Sequence, residues 1–423
     1  MKVCLVNPPH PYLKQPTAQA PLGLLYVAAA LREKQVEVLL LDLSDCYWED
    51  QIDYPAADLY GLTGTVLDRR PCTDTAKRIK EQFPQAKIIL GGPISLTPDQ
   101  VADSAIDAVV AGEGEEVIFD VLKDFPNVQS YYKASRITNL DALPFPARDL
   151  TPHKGGNVFA FNKNYKDGGS TVLITSRGCP YSCAFCASPG IWNRKVVLRS
   201  VENVIAEIDE IVNKYHIYQL RFSDDTLTLD TKRMRNLCAG IKKYDVIWRA
   251  SIRTKPNSLE MFQEMHAAGC REVSFGVESA DPNVLSVLKK GNSVEDNYNG
   301  IVNAKKAGMV VRILFMIGTP GESAETVDRN IAFLKEVNDY YDTIALTNFI
   351  PIPGSAIAER PLDFKCIITD TNIDKYNFYM WTPIGLNDWE SFIELSSLEN
   401  EVFENNKKRM RQYVVESRKS NRG

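Results

Sequence analysis

Three thiols stand out as a unit. Residues 176–189 read Ser-Arg-Gly-Cys-Pro-Tyr-Ser-Cys-Ala-Phe-Cys-Ala-Ser-Pro, so Cys179, Cys183 and Cys186 fall within eight residues, separated by three and two. Three thiolates on one short loop can converge on one soft metal centre. A [4Fe–4S] cluster takes one thiolate per iron, so three local ligands leave one iron open to a substrate or cofactor. Zinc wants four ligands, usually as two separated pairs, and the sequence has no second Cys-x2-Cys pair. A disulfide framework belongs to small secreted chains, not to one of this length. The spacing therefore favours an open iron–sulfur site over zinc or disulfides. The other six cysteines (Cys4, Cys46, Cys72, Cys238, Cys270 and Cys366) are scattered, and buried free cysteine acting as a small hydrophobe is the default for them.

The elements that position this loop repeat. Apolar runs predict strands at 171–176, 218–223, 246–252, 272–277, 310–317 and 343–349. Between them, apolar residues at helical spacing predict helices at 199–215, 231–243, 259–268, 282–288, 295–306 and 324–337. Six strand–helix units make a partial parallel barrel, with its site at the carboxyl ends of the strands. Polar residues gather near those ends: Asp224 and Asp225 after the second strand, Ser251 and Arg253 at the third, Glu278 and Ser279 at the fourth. Arg312 lies within the fifth, which runs into Gly318-Thr319-Pro320-Gly321-Glu322, and Pro351-Ile352-Pro353-Gly354-Ser355 follows the sixth. The plain alternative for each is a loop residue that caps a helix, Asp225 and Glu322 included.

The first third alternates in the same way. Strands are predicted at 2–7, 36–42, 58–65, 87–90 and 108–111, with helices at 21–34, 73–83 and up to 123. That pattern means a parallel, doubly wound sheet, and ligands of such sheets sit at the carboxyl ends of the strands. The edge here carries Thr63-Gly64-Thr65, Gly91-Gly92-Pro93 and Gly112-Glu113-Gly114, where small residues let a large ligand approach the backbone. Residues 43–57 are barely enough for a crossover helix. The chain thus divides into a sheet domain at 1–126, a linker at 127–168, a barrel at 169–355 and an extension at 356–423. In the extension, Trp381, Trp389 and a helix near 391–412 would supply substrate contacts or close the barrel.

Bulk properties exclude several classes. The 423 residues suit two domains, with 44% hydrophobic and 24% charged residues and a net charge of −5. That balance gives no global basic field for nucleic acid; the basic run at 406–422 reads as a solvated helix face. No apolar run is long enough to span a membrane, and the first residues lack the pattern of a signal peptide. With free thiols, this places the chain in the cytoplasm.

Cys-x3-Cys-x2-Cys, the aromatic Phe185 before the last cysteine and the lead-in Ile174-Thr175-Ser176-Arg177-Gly178-Cys179-Pro180 resemble the radical S-adenosylmethionine (SAM) superfamily. The sheet domain resembles the cobalamin (B12)-binding domain of one branch of it, on Pro21-Leu22-Gly23-Leu24-Leu25-Tyr26, the Gly-rich strand ends and the linker Leu140-Asp141-Ala142-Leu143-Pro144-Phe145-Pro146. The implied fold is an N-terminal Rossmann-like, flavodoxin-like domain of the cobalamin-binding type, followed by a partial (β/α)6 radical SAM barrel. The implied cofactors are a [4Fe–4S] cluster on Cys179, Cys183 and Cys186, S-adenosylmethionine, and cobalamin. By the same resemblance, Phe185, Asp224, Asp225, Ser251, Arg253, Glu278, Ser279 and Arg312 would contact S-adenosylmethionine or line its site. Thr63, Gly64, Thr65, Gly91, Gly92, Gly112 and Glu113 would seat cobalamin. The Asp-x-His-x-x-Gly motif that gives other cobalamin proteins an axial histidine is absent, and His10 lacks its context. The implied reaction forms a 5′-deoxyadenosyl radical and methylates an unactivated carbon or a phosphorus of a small molecule, with an electron donor such as flavodoxin or ferredoxin. The alternative is radical dehydration, cyclisation, ring contraction or epimerisation beside a vestigial cobalamin domain. A non-catalytic cofactor scaffold is a third reading.

Overall fold

The computed structural model describes residues 1–10, 16–47, 50–151, 166, 169–256, 258–376, 392–396 and 398–420. Trp381, Trp389 and Arg422 lie outside them, as does most of 152–168.

The predicted strands of the first third form as β1 (Lys2–Asn7), β2 (Glu37–Asp42), β3 (Leu59–Thr63), β4 (Lys87–Gly91) and β5 (Ala108–Ala111). A sixth, β6 (Tyr131–Lys133), lies in residues expected as linker and pairs with β5 at the edge. The order is β2-β1-β3-β4-β5-β6, all parallel, so the sheet reverses between β1 and β3. Helices Leu22–Glu33 and Gly114–Asp124 bury Leu24, Ala28, Leu31, Val117 and Val121 on one face of it. Helix Arg69–Gln82 buries Cys72, Ala76 and Ile79 on the other. This helix starts earlier than its apolar period suggests. Thr65 and Asp68 form a capping box that winds a 3-10 turn directly into it. Among the described residues no helix joins β2 to β3; Leu43 and Tyr54 of that connection pack onto the sheet instead.

The barrel strands are β7 (Ser170–Leu173), β8 (Gln219–Phe222), β9 (Ile247–Ile252), β10 (Cys270–Glu278), β11 (Val310–Ile317) and β12 (Thr343–Asn348). They pair in sequence order, all parallel. Their outward side chains meet helices Val201–Asn213, Thr231–Ile241, Leu259–Ala267, Val294–Lys306 and Thr326–Glu336 in one continuous core around Trp248, Phe262, Phe275 and Phe315. Each fully buried side chain of this size stabilises by roughly 1.5–3 kcal/mol.

The connection between the two sheets is anchored. Arg148 is buried, bonds Glu207 at 2.5 Å and donates to the Val172 carbonyl at 2.9 Å. Asp141 accepts from the Ser200 N–H at the start of a barrel helix. The C-terminal helix Asn400–Ser420 begins later than expected and lays Phe403, Lys407, Met410 and Val414 inward, with Arg409 bonded to Asp328 at 2.5 Å. Lys408 and Arg409 face solvent, as a solvated basic face does. Among the described residues no helix is long and apolar enough to cross a membrane.

Candidate active site

The cysteine loop is tied at its base. The first barrel strand is shorter than its apolar run. Asp224, at the end of β8, accepts from the Thr175 N–H and from the hydroxyls of Thr175 and Ser176 at 2.5–3.1 Å. The chain leaves the ladder there, and Ser176–Arg177 pairs antiparallel with Val197–Leu198, closing the loop that carries the cysteines. Gly178 opens it at φ +99°; a Cβ there would lie 2.1 Å from the Lys195 carbonyl, so only glycine fits.

Cys179, Cys183 and Cys186 are all partly exposed and unpaired on this loop. Among the described residues no three His, Cys, Asp or Glu side chains are grouped around one ion position. A cluster gives each thiolate its own iron. The donor set is all sulfur, which suits iron–sulfur chemistry. Burial pushes the Cys186 thiol up to about 11, against the Ser188 N–H that bonds its sulfur. Cys179 touches the Thr226 hydroxyl at 3.3 Å.

A wall of charge and aromatic rings stands beside the loop. The Arg253 guanidinium lies 4.0 Å from the centre of the Tyr181 ring and 3.6 Å from the Cys183 sulfur, and it bonds Asn292 and the Lys290 carbonyl. Lys290 bonds Glu278 at 2.8 Å and sits 5.7 Å from the Phe185 ring. Glu278 itself is held at φ +66°, next to a register shift in β10. A non-glycine residue within a strand at positive φ stores strain, a feature that clusters at functional sites.

The second component is a cavity of about 740 Å³ between the two sheets. It lies near the upper end of the roughly 300–1,000 Å³ usual for cofactor sites. Thr63, Gly91, Gly92, Gly112 and Glu113 form its wall on the first sheet; Ser176, Arg177, Gly178, Trp192, Ser223 and Asp225 form its wall on the barrel. Gly92, at φ +87°, would put a Cβ 2.7 Å from the Thr63 hydroxyl, so the edge stays flat only with glycine there. A flat, small-residue edge facing a large cavity fits a macrocyclic cofactor. His10 does not enter this cavity; its Nδ1 bonds Asp68 at 3.2 Å.

The expected site residues separate into groups. Asp225 lines the cavity and takes a 2.9 Å bond from Ser188; burial raises its pKa. Asp224 is consumed by Thr175 and Ser176 and so fixes the loop's base. Ser279 turns away: its hydroxyl bonds Asn330 and accepts from the N–H of Asp281, the N-cap of helix Pro282–Val287. Ser251 and Arg312 lie on the inner side of the barrel, which the outward core leaves to them. Gly64 and Thr65 shape the turn: Thr65 caps the next helix, and Gly64 packs against Cys72. Glu113 lines the cavity through an ion pair. Arg177 bonds Glu113 at 2.8 Å and Glu115 at 2.5 Å, and Arg136 forms an ion pair with Glu113 at 2.8 Å. Burial would lower the Arg177 pKa, but the two carboxylates raise it further, so the guanidinium stays charged. Sequence reading did not single out Arg177, Arg136 or Lys290; a charged residue just before the first cysteine and an acidic pair after β5 were the visible halves of that contact.

Residues 173–334 match the radical SAM superfamily, and residues 16–122 match the B12 binding domain. An uncharacterized methyltransferase of Pyrococcus horikoshii is 31% identical over 399 residues, which cover 87% of this chain and 85% of that one. The cytidylyl-2-hydroxyethylphosphonate methyltransferase of Streptomyces wedmorensis is 24% identical, with 98% and 91% covered. Among solved structures, TsrM, the radical S-adenosylmethionine methyltransferase of Kitasatospora setae with cobalamin and [4Fe-4S] cluster bound, superposes with a TM-score of 0.65 at 20% identity, covering 88% of this chain and 76% of that one. The cobalamin-dependent radical enzyme OxsB gives 0.67 at 20% identity, covering 89% and 56%. At these identities the two structures speak for the fold.

Proposed function

This chain belongs to the B12-binding branch of the radical SAM superfamily, and from that membership we propose that it is a cobalamin-dependent methyltransferase acting on an unactivated carbon or a phosphorus of a small molecule. One observation carries the reading. The cavity with the glycine edge is walled on its far side by Arg177 and Gly178, the residues that lead into Cys179. A corrinoid seated there would face the cluster loop. When bound, the cluster with S-adenosylmethionine supplies one-electron hydrogen abstraction, and cobalamin supplies the methyl group.

The chain's own residues do the rest. Cys179, Cys183 and Cys186 hold the cluster. Arg253 and the Lys290–Glu278 pair fix the polar side of the wall next to it. Asp225 offers an acceptor where the cavity meets the barrel. The two sheets wall the space between them, and a corrinoid that fills it would displace water and keep reactive species from bulk solvent. A cytoplasmic setting and a flavodoxin or ferredoxin as reductant complete the reading; the free cysteines support the first.

The test is anaerobic reconstitution with iron, sulfide and hydroxocobalamin, then desalting and an absorption spectrum. Retained corrinoid bands beside an iron–sulfur shoulder are expected. A cluster with no corrinoid would overturn methyl transfer through cobalamin.

A further inference from the structure

The inside of the barrel is charged. Leu220 and Phe222 of β8, Trp248, Ala250 and Ile252 of β9, Val273 and Phe275 of β10, and Val311, Ile313 and Phe315 of β11 all pack outward against the helices. A strand's period of two turns the residues between them inward. Those residues include Arg221, Arg249, Glu272, Ser274 and Arg312. Register sets Arg221 beside Arg249, Arg249 beside Glu272, and Ser274 beside Arg312. Three guanidiniums and one carboxylate thus occupy neighbouring positions on four strands. Glu272 bonds Arg249 at 2.9 Å. Among the described residues, Arg221 and Arg312 have no ion pair. The nearby Asp342 is engaged by Lys305 and the Val311 N–H. Burial first, and then the charges of Arg249 and Arg312, push the Arg221 pKa down to about 10.

A second observation is independent of charge. Ser274 is 3% exposed, and its hydroxyl has no hydrogen-bond partner. An unpaired buried polar group costs free energy unless a ligand or water satisfies it. The inner face is not sealed throughout. Along β11, Arg312, Leu314 and Met316 keep partial exposure while Val311, Ile313 and Phe315 are buried, and Ser251 of β9 is exposed. The inner side thus keeps accessible surface around Arg312 and Ser251.

We propose that Arg221, Arg249, Arg312 and Ser274 bind an oxyanion of the substrate, a phosphate or a carboxylate, inside the barrel. Arginine forks match such groups bidentately, and burial strengthens the contact. Glu272 orients Arg249 and partly offsets the positive charge while the site is empty of anion. Strand rise places these residues roughly 3–17 Å below the carboxyl ends of their strands, Arg221 highest and Arg312 deepest. The substrate then reaches from its anionic end to a reacting atom near the cluster loop. Calling the ligand a substrate rests on the methyltransferase reading; anion binding itself does not.

The test uses the full chain, reconstituted with cluster and hydroxocobalamin, titrated calorimetrically with inorganic phosphate and separately with succinate. Saturable binding of at least one is expected. Arg221→Gln and Arg312→Gln weaken it by at least about tenfold each, and Ser274→Ala by a few-fold. Glu272→Gln tightens it several-fold, a change that misfolding cannot produce. A preference for phosphate or for succinate says which oxyanion the substrate carries, and either supports the site. Absence of saturable binding for both, or binding that the arginine variants and Glu272→Gln leave unchanged, overturns it. Corrinoid retention in the same samples is read separately, so a failed methyltransferase reading and a failed anion site give different results.

Discussion

Arg177 joins two parts of the molecule through one residue. Its backbone pairs with Val197 at the base of the cysteine loop, and its side chain reaches across to Glu113 and Glu115 of the first domain. Arg177→Met leaves two buried carboxylates with Arg136 as the remaining counter-ion of one of them. Breaking a buried pair from one side costs about 3–5 kcal/mol. We expect a clearly lower melting temperature together with reduced corrinoid retention; unchanged values for both would remove Arg177 from this role. Cys183→Ala should abolish the iron–sulfur absorption and lower 5′-deoxyadenosine formation about a thousandfold or more. A variant producing 5′-deoxyadenosine at a rate near that of the parent chain would contradict the ligand assignment. The cysteines were legible because all three ligands sit in one loop. The Arg177–Glu113 contact was not, since its partners are 64 residues apart and pair only after both domains fold. The barrel arginines lay between the two. Arg312 stands out in the sequence beside its glycine-rich turn, whereas Arg221 and Arg249 do not, although each interrupts an apolar strand at a matching alternate position.

Among the elements, apolar runs located the central strands well because both faces of a parallel sheet are buried and the signal is continuous. The edge strand β6 carries no such run: Tyr132 is buried between exposed Tyr131 and Lys133, and three residues are too few to show a period. The turn after β11 shows how a motif can serve its own loop. Glu322 accepts from the Thr319 N–H at 2.8 Å and from its hydroxyl at 3.1 Å, and burial raises its pKa from 4.5 to about 7. A carboxyl whose pKa is raised by folding contributes fully below its unfolded pKa, and that contribution is lost as pH rises through the folded value. Glu322→Gln keeps the acceptor and removes the charge. Its advantage over the parent chain should grow from near zero at pH 4.5 to about 3 kcal/mol above pH 7, at 1.36 kcal/mol per unit. Denaturant melts at pH 5, 7 and 8.5 check this, and a pH-independent difference would refute it. Gly92→Ala is a second test at this level. It meets both a left-handed backbone and the Thr63 hydroxyl, so a loss of about 1–3 kcal/mol and weaker corrinoid binding are expected.

For the molecule as a whole, the cavity draws its walls from both domains. A ligand that fills it binds only the assembled pair, so it stabilises the pair by mass action, about 2.7 kcal/mol at a hundred times its Kd. Hydroxocobalamin should therefore raise the melting temperature in proportion to the logarithm of its concentration, and the shift should shrink in Gly92→Ala. No shift at saturating corrinoid would mean that the cavity holds something else.

The pairing of Arg177 with Glu113 and Glu115 also sets a rule for anyone who recombines these parts. Neither domain can be transplanted as an interchangeable module. A chimera that joins this sheet to a foreign barrel inherits Glu113 and Glu115 at its seam with Arg136 to offset only the first, and needs a cation on the strand leading into the cysteine loop for the second. Compatibility between donor and acceptor can be read in advance at those three positions.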